Sequence, residues 1–114
     1  EALNSQDGKD LACIAEMYFL DKDGSRLSRE PWIVKYADSE DVAHVNRSAD
    51  KTFDLQESTY WSTEKGSPYP HTIVIDLGAS HALTGFQCLP RMESEVPGGI
   101  KDFKIYVKGE NFKY

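Results

Sequence analysis

The stretch Phe53-Asp54-Leu55-Gln56-Glu57-Ser58-Thr59-Tyr60-Trp61 holds the residue types best suited to chemistry. An Asp carboxylate, polar residues with accessible carbonyls and a Thr hydroxyl precede a Trp, in a segment too polar for a regular strand. Such oxygen donors suit a hard cation such as calcium. The same residues also make a plain loop hydrogen-bonded by Asp54. The three histidines, His44, His71 and His81, lack helical metal-ligand spacing and are expected as solvated or hydrogen-bonded surface residues. Glu93 and Glu95, on a Gly/Pro loop, are expected to be solvated rather than an acid/base pair. There is no Gly-x-Ser-x-Gly elbow, no Gly-rich phosphate loop and no cysteine next to a base, so nucleophilic catalysis has no residues to use.

The elements that must position these groups read as strands. Phe103, Ile105 and Val107 alternate with Lys104, Tyr106 and Lys108, which makes 101–108 the clearest half-buried strand. The β-branched run 72–77 and the run 83–89, ended by Pro90, give two more. Residues 14–20 and 32–36 complete a set of five. Asp21-Lys22-Asp23-Gly24 is expected as a tight turn, and Pro97-Gly98-Gly99 as a loop. Residues 39–48 allow at most one short helical turn. Several short strands separated by turn signals indicate an antiparallel sandwich or barrel.

With 114 residues the chain is one domain at most, large enough for a single core. Its formal net charge of −6 and scattered basic residues leave no electrostatic footprint for nucleic acid. Its apolar runs are too short for a membrane span, and residues 1–10 lack the pattern of a signal peptide. Cys13 and Cys88 lie in apolar stretches and are expected as buried free thiols; a single long-range disulfide would need facing strands. Trp32 and Trp61 are expected in the core.

Four ordered motifs carry a family resemblance: Phe53-Asp54 … Ser58-Thr59-Tyr60-Trp61; Pro70-His71-Thr72-Ile73-Val74-Ile75-Asp76-Leu77-Gly78; Thr84-Gly85-Phe86 … Leu89-Pro90-Arg91; and Gly99-Ile100-Lys101-Asp102-Phe103-Lys104-Ile105-Tyr106-Val107. Over residues 32–114 the chain resembles a discoidin domain, the coagulation factor 5/8 type C family that includes the family 32 carbohydrate-binding modules. It is most similar in tone to the carboxy-terminal modules of chitobiase-type Bacteroides proteins. The resemblance implies an all-β antiparallel sandwich of jelly-roll, galactose-binding-domain-like type, and a noncatalytic module that targets a linked glycoside hydrolase to galactose or N-acetylhexosamine glycans in an exported bacterial protein. A protein or cell-surface adhesion module and a ligand-free spacer are its rivals.

The resemblance further implies a structural calcium ion held by Asp54, Gln56 and Thr59, with a carbonyl from Lys51 and a carboxylate from Glu16, the acid of the Ala15-Glu16 pair. For sugar binding it points to Glu40 and Arg91, with Tyr60 and Tyr69 as candidate stacking rings and Ser62 where sugar-binding members carry a His. Two departures stand out. The Ala-Glu pair, which usually closes the domain, here precedes the first strand, so residues 1–30 are expected as an extra strand or the tail of a preceding domain, with 31–114 as the domain itself. The family also continues past Asn111-Phe112-Lys113-Tyr114, so the chain is expected to be truncated or permuted at that end.

Overall fold

The structure is a computed structural model and describes residues 1–91 and 98–107. Among them are β1 (Cys13–Ile14), β2 (Glu16–Leu20), β3 (Ile33–Ala37), a 3-10 helix (Ala49–Phe53), β4 (Trp61–Ser62), β5 (Ile73–Asp76) and β6 (Gly85–Leu89). Among the described residues every strand pairing is antiparallel: β1 with β4, β2 with β6, β3 with β5. The domain is thus all-β, as the alternating apolar residues and turn signals predict.

The apolar run 14–20 is a single strand by sequence but serves two partners. Cys13 and Ile14 pair with Ser62 and Trp61, whereas Glu16 to Leu20 pair with Leu89 to Gly85. The exchange happens at Ala15, whose amide already donates to the Leu89 carbonyl at 2.8 Å. The turn at 21–24 forms as expected: Asp21 Oδ1 accepts from the amides of Asp23 and Ser25, and Gly24 takes the positive φ of 79°.

The core gathers Ala12, Ile14, Met17, Ala49 and Trp61, with Val34, Ile73, Ile75, Phe86 and Ile100 packed against it. A run of aromatic rings extends it, from Phe103 through Phe86, Phe19 and Trp32 to Phe53, with successive centroids 5.6, 5.3, 5.6 and 5.7 Å apart. Tilted contacts of this kind let the ring edges meet the ring faces. Trp32 and Trp61 are both buried, as expected. The amino-terminal residues are tied in as well. Ala2 bridges to both His71 and Phe103, and Ser5 bridges to Ile100.

Four expectations need correction. Residues 101–107 are exposed, and among the described residues their one β-bridge joins Phe103 to Ala2, so the clearest periodicity in the chain does not become a regular strand; Lys108 lies outside the described residues. The amino-terminal residues satisfy the first half of this segment's backbone instead: Lys101 N donates to the Asn4 carbonyl at 3.1 Å, Leu3 N to the Asp102 carbonyl at 2.8 Å and Lys104 N to the Glu1 carbonyl at 2.8 Å, while the side chains of 101–107 stay exposed. The helical turn falls at Ala49–Phe53, just after 39–48, where the Glu40 carboxylate accepts from the Ala49 amide at 2.7 Å and opens the 3-10 helix. His71 is buried rather than at the surface: Nδ1 lies 2.7 Å from Asp38 Oδ2 and Nε2 3.0 Å from the Ser67 carbonyl. Of the two cysteines only Cys13 is buried; Cys88 is exposed. Glu93, Glu95, Pro97 and Asn111 to Tyr114 lie outside the described residues.

Gly98 adopts a φ of +76°, and a Cβ there would lie 2.7 Å from Cys13 Sγ and 3.0 Å from the Cys13 nitrogen. Its carbonyl accepts from that same nitrogen at 2.9 Å. Gly98→Ala is therefore expected to cost about 2 kcal/mol, seen as a drop of several degrees in the calorimetric midpoint. An unchanged midpoint would mean that Gly98 does not pack on Cys13 in solution.

Candidate functional site

Trp61 sets the geometry of the loop end. Its ring is buried and its Nε1 donates to the Ser39 carbonyl at 2.9 Å, which pins the start of the 39–48 loop. The next residue, Ser62, ties down the rest of that loop: its carbonyl accepts from Asp41 N at 2.8 Å, and its amide donates to the Arg47 carbonyl at 3.1 Å. Asp41 and Arg47 bridge each other. Arg47 is thereby brought to Tyr60, with its guanidinium carbon 4.0 Å from the ring centroid. Arg91, which follows β6 and Pro90, places its own guanidinium carbon 4.4 Å from the same ring. Cation–π contact of this kind fixes two long side chains on one aromatic platform. Arg91 Nη1 also lies 3.8 Å from Cys13 Sγ, on the inner side of the cluster.

The sequence-predicted sugar residues thus divide. Arg91 and Tyr60 come together. Glu40 stands on the adjoining turn, with Oε2 engaged by the Ala49 amide. Ser62 is buried, and its hydroxyl donates to the Thr63 carbonyl at 2.9 Å, so it does not face a ligand. Tyr69 is used inside the fold: its hydroxyl donates to the Leu11 carbonyl at 2.6 Å and its ring packs edge-on against His71. Burial holds that phenol protonated well above the ordinary tyrosine range. Arg47 is the member that sequence reasoning missed, because only the long-range bonds to Ser62 bring it to Tyr60 and no local spacing announces them.

The predicted cation residues Lys51, Asp54, Gln56 and Thr59 lie in the 3-10 helix and the turn that precede Trp61 in sequence. Asp54 caps the 3-10 helix that contains Lys51; its Oδ1 accepts from the Gln56 amide at 3.1 Å and its Oδ2 from the Thr59 hydroxyl. That hydroxyl also lies 3.1 Å from the Gln56 carbonyl, so three oxygen groups converge. Glu16 reaches the same region from β2. It is 1% exposed; Oε1 is 3.3 Å from Arg29 Nη1, and Oε2 is buried with no hydrogen-bond partner among the described residues. Burial raises the Glu16 pKa; Arg29 opposes the rise and the charges of Asp54 and Glu57 add to it. Oxygen groups of this kind have the chemistry of a hard-cation donor set, although among the described residues no group of three or more His, Cys, Asp or Glu side chains is gathered to hold a metal ion.

Fold and loop end together define a small all-β domain with a polar cluster held at one end. Residues 35–114 match the F5/8 type C domain, and the chain belongs to that family. Over 73 residues it is 34% identical to the sialidase of Micromonospora viridifaciens, covering 60% of this chain and 11% of that protein. Over 91 residues it is 30% identical to the galactose oxidase of Gibberella zeae, covering 76% of this chain and 13% of that protein. The chain therefore spans only a small part of the length of the relatives it matches. Among the described residues no helix is long and apolar enough to cross a membrane.

The buried position of Ser62 is testable. Ser62→Ala should cost about 1 kcal/mol of stability through the lost internal hydrogen bond and leave retention on any glycan column unchanged. Loss of retention with an unchanged melting point would instead place that hydroxyl at the ligand.

Proposed function

We propose that the domain is a noncatalytic carbohydrate-binding module of an exported bacterial glycan-degrading protein, chitobiase-like in organisation, and that it holds galactose or N-acetylhexosamine glycans near a linked catalytic domain. The observation that carries this reading is the joining of Arg91 and Tyr60, with Arg47, at the loop end of a domain in this family. Guanidinium groups give paired hydrogen bonds to sugar hydroxyls, and an aromatic ring beside them supplies apolar contact. Two relatives with sugar-related names, a sialidase and a galactose oxidase, match this chain over about a tenth of their length, which supports an accessory role beside a larger catalytic body. Tethering then raises the local concentration of substrate without a need for tight single-site affinity.

One observation favours a second reading. Val42 and Val45 are 57% and 55% exposed on the loop that carries Arg47, and apolar side chains beside cations suit a protein partner in adhesion.

A glycan array run with calcium and with chelator tests the two. Retention of galactose or N-acetylhexosamine glycans, abolished by Arg91→Ala with the melting point within a few degrees of the parent, is the expected result. Silence across the array from folded protein would turn the assignment to adhesion. A large stability loss in Arg91→Ala would make that residue structural.

A structural calcium ion belongs to the same reading, with Asp54, Gln56, Thr59, Lys51 and Glu16 as its holders. A bound cation would supply positive charge to two carboxylates that otherwise repel, and would partner the orphaned Glu16 oxygen. Glu16→Gln is accordingly expected to lower the thermal midpoint more in calcium than in chelator, because both forms lose the buried pair with Arg29 and only the calcium-bound form also loses a ligand. Equal effects in both conditions would remove calcium from the site.

A further inference from the structure

The sheet formed by β2 and β6 carries a second concave feature, lined by none of Arg47, Tyr60 and Arg91. Tyr18, Arg26, Glu57, Gln87, Cys88 and Leu89 line an open groove of about 450 Å³. Tyr18 and Gln87 stand directly opposite each other in the β2–β6 register. Arg26 arrives from the strand side of the 21–24 turn, where it bridges Leu20. Its guanidinium carbon sits 3.8 Å from the Tyr18 centroid, and its Nε donates to Gln87 Oε1 at 3.0 Å. These two contacts fix the guanidinium plane while using only one of its nitrogens. The Arg29 guanidinium carbon lies 4.2 Å from the same ring and is tied to Glu16. The Tyr18 ring therefore already carries two guanidinium groups.

We propose that this groove is a second binding subsite, for a neutral glycan segment of one or two sugar units. Among the described residues neither Arg26 nor Glu57 belongs to a salt bridge, so one fixed donor fork and one carboxylate acceptor line the same groove unneutralised. A sugar hydroxyl is both donor and acceptor, and a run of hydroxyls satisfies such a pair together with the Gln87 amide and the Tyr18 phenol. An anionic sugar is disfavoured, because Glu57 would face it in a chain of net charge −6. Recognition is by hydrogen bonds rather than stacking, since the guanidinium groups occupy the Tyr18 ring. The ligand class rests on the glycan reading above, while the residues are independent of it.

Amide-resolved NMR titration of the 15N-labelled domain with lactose and with N,N′-diacetylchitobiose tests the assignment. The expected result is saturable shifts at Tyr18, Glu57 and Gln87 to Leu89 at millimolar sugar. Arg26→Ala and Gln87→Ala should each weaken these shifts about tenfold, with the rest of the spectrum unchanged, and Arg91→Ala should leave them in place. Absence of groove shifts at about 50 mM of either sugar, where a millimolar site would be filled, would overturn the proposal. So would groove shifts that survive both substitutions, or shifts produced by glucuronate but by neither neutral sugar. Loss of loop-end shifts alone would count against the loop-end reading and leave the groove standing.

Discussion

The burial of Trp61 is the constraint on which most of this structure depends. A large indole taken out of water removes on the order of 150–250 Å² of surface, and its one polar atom must then find an acceptor, which it does at the Ser39 carbonyl. Once the indole is placed, the residues before it are placed too. Tyr60 meets the loop-end guanidinium groups, and Thr59 closes the Asp54 turn. One buried ring thus fixes two polar clusters whose own interactions are weak. The two-residue strand β4 can do this because its backbone is engaged on both sides, by Cys13 and Ile14 along one edge and by Asp41 and Arg47 along the other.

The second organising fact is electrostatic. Glu16 comes from β2, is almost wholly buried and lies within the influence of Asp54 and Glu57 from a distant part of the sequence. Arg29 compensates in part, and its reach to the carbonyls of Met17 and Thr52 holds it between β2 and the 3-10 helix. Such a group costs stability unless its charge is met on every side. The amino-terminal strand is for this reason more than added β-structure. It sets a carboxylate within the electrostatic reach of Asp54 and, by pairing with β6, holds the strand that leads to Pro90 and Arg91.

Local signals and long-range bonds contributed unequally to what the residues disclose. The Asp21–Gly24 turn, the strands around 33–37, 73–76 and 85–89, and the burial of both tryptophans follow from β-branching, turn chemistry and apolar area, all of which act over a few residues. The failures share a cause. Residues 101–107 have strong alternation but bond to the amino-terminal residues 1–4 without forming a regular strand, and the run 14–20 changes partner at Ala15, because pairing is decided by neighbours distant in sequence. His71 looked like a surface residue until Asp38 and the Ser67 carbonyl supplied partners that make its burial affordable. At the loop end, Arg91 and Tyr60 were legible through the family resemblance. The Tyr69 and Ser62 assignments ran against internal hydrogen bonds that no motif reveals.

The loop end and the β2–β6 groove are built alike, each with a tyrosine ring contacted by two arginines. On a flexible surface, an arginine loses much side-chain entropy when it orders around a ligand. Held against a ring, it has already lost that freedom during folding, so later binding is opposed less. The arrangement suits shallow, polar recognition, in which no deep cavity excludes water and each contact is modest. Affinity at one such site is limited by its small contact area, but two preordered sites on one domain would engage successive parts of one long ligand, and the second contact then forms at an effective concentration set by the first.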